Sequence, residues 1–261
     1  MITPSVNYLC PRCLYYTISA VIFKCSAGIS LSKPGRAGPF RADINEKDGK
    51  AMDMICDNNY TRLCGSVGGK PVYSHSSRSQ QFYIFPLEVE RLSGTRDVIN
   101  IVVRQGQLAA LSLGDGSKLW VEGQLRTFNN RHGQGAKLVI TVLARELGFC
   151  DGEDENLVQL SGTLCKAPNL RTTPMGRDIC DLMLAVNRHY GRSDYLPCIC
   201  WGLKAREAAG WPVGTHLRLQ GRIQSRRYIK LTEDGPVEKT AFEVSVTDAA
   251  PDAGAENEDF F

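Results

Sequence analysis

The sequence predicts an all-β chain: two tandem five-stranded barrels, each with a short helix between its third and fourth strands, then a disordered acidic C-terminal tail. Three observations carry that expectation. Short apolar or alternating runs recur through residues 59–247, separated by clusters of Gly, Ser and Asn. One segment of helical composition follows the third run of each half. Glycines and arginines also recur between the halves at a nearly constant offset.

In the first half the runs are 62–67, 81–91, 98–103, 118–128 and 137–145, with the helical segment at 105–113. In the second they are 157–165, 178–188, 195–201, 216–226 and 241–246, with the helical segment at 203–209. Five strands with a helix between the third and fourth is the order of the OB-fold. Gly65 matches Gly162 and Arg91 matches Arg188 at a separation of 97, while Val121-Glu122-Gly123-Gln124-Leu125-Arg126 matches Leu219-Gln220-Gly221-Arg222-Ile223-Gln224 at 98. A one-residue slip is what one loop insertion produces. Gly65, Gly123, Gly162 and Gly221 then mark places where barrel strands bend or change partners. Trp211-Pro212 falls in the turn before the second barrel's fourth strand, where the tryptophan is expected to pack on the preceding helix.

The net charge of +3 conceals a division. Residues 59–148 carry 11 basic and 6 acidic residues, residues 156–247 carry 13 and 8, so each prospective barrel is +5. The connector 149–155 holds four acids and no base, and the tail 248–261 five acids and no base. Basic domains with acidic segments suit a polyanion for the domains and a different partner for the tail. The first 58 residues resemble neither barrel. They are read as a disordered extension or an over-extended start, with Met52 or Met54 just ahead of the first strand. Their apolar run 14–23 is shorter than the about 20 residues a transmembrane helix needs.

Ten cysteines do not read as a disulfide framework. Cys198 and Cys200 flank one residue of a strand, share a face, and are poorly placed to bridge each other. Cys56, Cys64, Cys150, Cys165 and Cys180 are scattered and read as small core residues of a reducing compartment. Cys10-Pro11-Arg12-Cys13 lacks a second ligand pair, so neither metal nor cofactor is expected. His75, His132, His189 and His216 have no metal-ligand spacing. The glycines of 114–118 and 133–135 are hairpin glycines rather than phosphate loops. No enzyme is expected.

The order and residue types of the second half resemble the bacterial single-stranded DNA-binding protein family, through Leu157-Val158-Gln159-Leu160-Ser161-Gly162, Ala185-Val186-Asn187-Arg188, Tyr195-Leu196-Pro197-Cys198-Ile199-Cys200-Trp201-Gly202 and Leu217-Arg218-Leu219-Gln220-Gly221-Arg222-Ile223. Gripping a strand without sequence preference takes cations along the phosphates and flat side chains against the bases. The resemblance implies stacking by Trp201, Tyr195 and Tyr228. Arg171, Arg177, Arg188, Arg222, Arg226, Arg227 and Lys230 supply the cationic track. In the first half, carrying the offset of 98 back from Trp201, Tyr195 and Tyr228 lands on Val103, Asp97 and Asn130. Its aromatics lie elsewhere. Tyr83 and Phe85 share one strand face, Phe82 takes the other, and Arg78, Arg91, Arg126 and Arg131 stand ready for phosphates. That barrel either binds DNA through relocated aromatics or serves chiefly in packing and dimerisation.

The C-terminal Glu256, Glu258, Asp259, Phe260 and Phe261 resemble the family's partner-recruiting tip, with Phe260 where the family has proline. The resemblance implies a protein of a bacterial cytoplasm or a phage-like element that coats single-stranded DNA in replication, recombination and repair. It also implies a homodimer, to give four barrels. The rival readings are an OB-fold primosome or RNA-binding protein, and an interaction scaffold that has lost nucleic-acid binding.

Overall fold

The computed structural model describes residues 58–111, 113–114, 116–130, 138–188, 190–232 and 235–252. Barrel 1 contains β1 (Asn59–Val67), β2 (Val72–Ser77), β3 (Gln80–Glu90), β4 (Arg96–Arg104), α1 (Gln105–Ala109), β5 (Lys118–Asn129) and β6 (Leu138–Phe149). Barrel 2 repeats the order with β7 (Glu155–Leu164), β8 (Asn169–Thr172), β9 (Asp178–Asn187), β10 (Ser193–Trp201), α2 (Gly202–Ala208), β11 (His216–Thr232) and β12 (Gly235–Pro251). Barrel 1 closes through β1–β3, β3–β4, the parallel β4–β6, β6–β5 and β5–β1. Barrel 2 closes through β7–β9, β9–β10, the parallel β10–β12, β12–β11 and β11–β7. These are two OB-folds.

Beyond the five strands expected of each, the short β2 and β8 pair with β3 and β9. Both are exposed along their whole length, so neither carries the period-two burial signal by which a strand is read from sequence. Past Ser225 and Phe242, β11 and β12 pair only with each other, as a ribbon running out to Thr232 and Gly235. β12 also runs through Asp248 to Pro251, residues the sequence assigned to the tail. The remaining tail and residues 1–57 lie outside the described residues.

Apolar alternation builds the interiors. Leu63, Phe85, Leu87, Ile99, Ile101, Leu119 and Leu125 fill barrel 1; Leu164, Leu184, Leu196, Leu217 and Ile223 fill barrel 2. Trp211 is buried beside Ala205 and Ala208 of α2, as expected. The four matched glycines are sites of close approach: a Cβ would lie 2.4 Å from the Glu88 carbonyl oxygen at Gly65, 2.3 Å from that of Leu143 at Gly123, 2.5 Å from that of Ala185 at Gly162, and 2.4 Å from that of Ser245 at Gly221. Gly123 and Gly221 also stand at the register shifts of their β5–β6 and β11–β12 ladders.

The barrels share one sheet, because β1 pairs antiparallel with β7 from Asn59–Leu160 to Cys64–Glu155. Two buried carboxylates lock this junction in pseudo-symmetric fashion. Asp97, at the start of β4, accepts from Arg91 (2.6 and 2.5 Å) in its own barrel and from the N–H and hydroxyl of Ser225 (2.7 Å each) in the other. Asp194, at the start of β10, accepts from Arg188 Nε (2.6 Å) and Nη2, and across the junction from Arg126 (3.0 Å) and the N–H and hydroxyl of Thr127 (2.5 and 3.2 Å). Both carboxylates are 0% exposed. Burial opposes the charge of Asp97, but the Arg91 guanidinium and the Ser225 donors outweigh it and hold this carboxyl below its usual range.

The cysteine expectation is corrected at one pair. Cys64 of β1 and Cys150, just past β6, form a disulfide with Cα atoms 7.3 Å apart. A sequence separation of 86 gave no hint of it, because barrel closure alone brings the two together. Cys198 and Cys200 are free and buried on one face, as alternation predicts.

Candidate nucleic-acid interface

Along β10, Leu196, Cys198 and Cys200 face the core, so Tyr195, Pro197, Ile199 and Trp201 take the opposite face, on which Ile199 is itself buried. Trp201 is 41% and Tyr195 52% exposed, large aromatic surfaces left uncovered at either end of one strand. Trp201 also walls a shallow cleft with Gly176, Arg177, Leu203 and Arg206. Its neighbour Gly202 adopts φ +59°, which lets α2 start directly from the strand and leaves the indole at the rim. Across β12 and β11 the same face continues through Ser245 and Glu243, then Arg222, Gln224, Arg226 and Tyr228. The Arg226 guanidinium lies over the Tyr228 ring, 5.8 Å from its centre.

The cations expected here are placed unequally. Arg177 is exposed at the β8–β9 turn, and Arg222 is half-buried with its Nε lacking a partner. Arg171 donates to Asp181 (2.7 and 3.0 Å), Arg226 lies 3.6 Å from Glu243, and Arg227 lies 3.8 Å from Glu238. Arg188 is not on this face: it is held by Asp194 and the Thr127 carbonyl at the junction. Arg126 is likewise drawn to Asp194, with a second contact to Gln124. The side chain of Lys230, the whole of Arg131 and the terminal Glu256, Glu258, Asp259, Phe260 and Phe261 lie outside the described residues.

In barrel 1 the structure corrects the expected platform. Phe85 is 1% exposed, in the core, and Tyr83 packs over that core edge-on to Tyr73, their ring centres 6.0 Å apart. The outward residue is Phe82, its ring stacked on His75 at 4.8 Å and 4°. The sequence showed that Phe82 takes the opposite face from Tyr83 and Phe85, but not which face turns inward. Phe128 is exposed farther round, while Arg91 is spent on Asp97 and Arg78 lies 5.5 Å over the Tyr190 ring. The offset is corrected as well. β4 and β10 run in register at a separation of 97, so the slip to 98 falls between α1 and β5. Arg104 therefore occupies the place of Trp201, and Val98 that of Tyr195, rather than Val103 and Asp97.

Two OB barrels joined through one sheet, with outward aromatic side chains on β3 and β10, define the framework. Sequence comparison agrees for the second barrel: residues 155–250 match the model of the Single-strand binding protein family. Single-stranded DNA-binding protein 2 of Listeria innocua is 38% identical over 80 residues, covering 28% of this chain and 50% of that protein. Single-stranded DNA-binding protein A of Bacillus subtilis is 35% identical over 80 residues, covering 46% of its own length. The chain thus spans about half the length of the curated relatives it matches. Among solved structures, the wild-type single-stranded DNA binding protein from Thermus aquaticus superposes with a TM-score of 0.60 at 21% identity, over 74% of this chain and 92% of that one. A deletion mutant of the same protein gives 0.60 at 22% identity. These two show the tandem fold. Among the described residues no three His, Cys, Asp or Glu side chains group as metal ligands, and no helix is long and apolar enough to cross a membrane.

Proposed function

We propose that this protein binds single-stranded DNA without sequence preference, through the outer face of barrel 2, and protects it during replication, recombination and repair. The observation that carries the reading is the pair Trp201 and Tyr195, exposed on one face of β10 within the segment that matches the family model. Each is a sequence-tolerant stacking platform, since every base has a π-face. Tyr228, Arg171, Arg177, Arg222, Arg226, Arg227 and Lys230 extend the contact along β8, β9 and the β11–β12 ribbon. Phe82, with His75, is the place where barrel 1 would take a second stretch of strand. The acidic tip recruits replication and repair proteins, in keeping with its charge, its terminal aromatics and the family resemblance. Two barrels per chain fit a homodimer, a four-barrel assembly. No catalytic step is assigned.

The test is quenching of tryptophan fluorescence on titration with poly-dT at several salt concentrations, with the parent and with Trp201→Ala. Strong binding at low salt is expected, weakening with a slope of about −0.7 per neutralised phosphate. The substitution should remove most of the quench and about 1–3 kcal/mol of affinity. No binding at low salt refutes the function. Binding that ignores the substitution moves the contact surface to barrel 1.

A further inference from the structure

Two of the arginines that face outward on barrel 2 are already occupied by carboxylates of the same face. Arg171, on the edge strand β8, donates twice to Asp181 across the β8–β9 ladder, at 2.7 and 3.0 Å. Arg226, on β11, lies 3.6 Å from Glu243 of β12, and Gln224 donates to the same carboxylate at 2.9 Å. Glu243 is not a solvated surface acid: its side chain is only 10% exposed. Alternation puts both acids among the binding residues, since Cys180, Leu182, Val244 and Val246 beside them point into the core. Along β12, Ser245 is in register with Ile199 of β10, which places Glu243 one step further along this face, level with Pro197 between Tyr195 and Ile199.

Barrel 1 supplies the contrast. At the separation of 97, Ile84 stands where barrel 2 has Asp181. Pairing of Val142 with Ile101 and of Val244 with Cys198 likewise sets Thr141 where barrel 2 has Glu243. The duplicated fold therefore does not require an acid at either position, and both acids occur only on the barrel that carries Trp201 and Tyr195. A carboxylate on a phosphate-binding face works against affinity. Together with its arginine it makes a neutral pair, so a strand that takes the arginine gains no net neutralisation while the acid stays ionised.

We propose that Asp181 and Glu243 are built-in competitors for phosphate, which hold Arg171 and Arg226 in place on the empty face and yield them to an arriving strand. This rests on the reading of barrel 2 as a single-strand-binding surface. The two acids are tuning residues: they fix the guanidiniums in position, lower the affinity and lower its dependence on salt, so that a bound strand exchanges readily. The pairs are partly exposed, and the competition is modest in size. Freeing one arginine is expected to tighten binding roughly two- to fivefold.

The experiment compares poly-dT binding by the full chain as parent, Asp181→Asn, Glu243→Gln and Glu90→Gln across a salt series. Glu90 pairs with Arg96 at 3.1 Å on barrel 1, away from the face, and its change adds the same unit of charge. The expected result is two- to fivefold tighter binding by Asp181→Asn and Glu243→Gln. The salt slope should steepen by up to about 0.7 for each, as one more phosphate is neutralised, with Glu90→Gln matching the parent. A parent that binds, with both variants unchanged or weaker, overturns the competition and leaves the function standing. Equal tightening by Glu90→Gln overturns it too, as an effect of net charge alone. No binding by the parent or by either variant at low salt removes the function and the competition together.

Discussion

Asp194→Asn is the substitution most revealing of how the tandem holds together. The Asp194 carboxylate is 0% exposed and answers two guanidiniums, Arg188 and Arg126, and the N–H and hydroxyl of Thr127 from the other barrel. The amide that replaces it is isosteric, but it carries no charge and one of its termini donates. Arg188 and Arg126, with side chains 27% and 21% exposed, are left as half-buried cations facing each other with no anion between them. Breaking one side of a buried charge pair costs about 3–5 kcal/mol. At this chain size about 2–4 °C of melting temperature accompanies each kcal/mol, so a fall of roughly 6–20 °C is expected. Urea unfolding of the parent, Asp194→Asn, Arg188→Gln and the double variant measures it. The midpoint should drop, and the double variant should lose less than the sum of the singles by more than about 1 kcal/mol. A loss below about 1 kcal/mol, the size of an exposed ion pair, would refute the view that this carboxylate ties the barrels together. Asp97→Asn should cost less than Asp194→Asn, because its carboxylate answers one guanidinium rather than two.

Three further outcomes follow from the same structure. Gly221→Ala puts a Cβ 2.4 Å from the Ser245 carbonyl oxygen and is expected to cost about 1–3 kcal/mol in urea unfolding, whereas Gly152→Ala, with nothing within 4 Å, should change little. Asp97 has a folded pKa below its ordinary value of 3.8, so its contribution is complete above that value and is lost as pH falls through the lower folded one. Acid titration of stability should therefore show a limb below pH 3.8 that Asp97→Asn flattens. Burial, and then the neighbouring Cys180, pushes Cys200 up to about 12, and burial pushes Cys198 higher still, so neither thiol should react with an alkylating reagent at neutral pH. Peptide mass mapping after labelling should find both unmodified in the folded protein and modified after unfolding.

How much of this was legible in the sequence depends on which face each signal describes. The inward face was readable almost throughout, because an apolar residue at every second position is what a closed barrel demands. The glycines at 65, 123, 162 and 221 stood out because a backbone carbonyl lies where a side chain would go. The outward face was readable only where large aromatics interrupt it, at Tyr195 and Trp201. β2, β8 and the outer part of the β11–β12 ribbon were hidden for one physical reason: strands solvated on both sides have no alternation to show. Charge was the least legible quantity. Arg188, Arg126 and Arg91 look like a phosphate track in one dimension. Their fate was decided by Asp97 and Asp194, ordinary acids in sequence whose burial appears only when β4 and β10 meet β11 and β5 across the junction.

That junction also bears on why the two barrels diverged on their outer faces while keeping the same skeleton. Asn59 brackets Leu125 at its N–H and carbonyl (2.8 and 2.9 Å), and Asn156 brackets Ile223 in the same way (2.9 and 2.8 Å), so the repeat is retained atom for atom where strands must register. At the rim it is not: Arg104 replaces Trp201, Val98 replaces Tyr195, and Thr141 replaces Glu243. Side chains that fix the junction bond to the other barrel, whereas Arg171 and Arg226 on the outer face pair with Asp181 and Glu243 of their own barrel. Arg126 and Gln224 occupy equivalent positions on β5 and β11 and show both regimes at once. Arg126 reaches across the junction to Asp194, and Gln224 turns to Glu243 on its own barrel. The exchange gives Asp194 its second guanidinium and gives barrel 2 a donor for its buried acid. Asymmetry at one pair of equivalent positions thus links the bond between the barrels to the electrostatics of the face that carries Trp201.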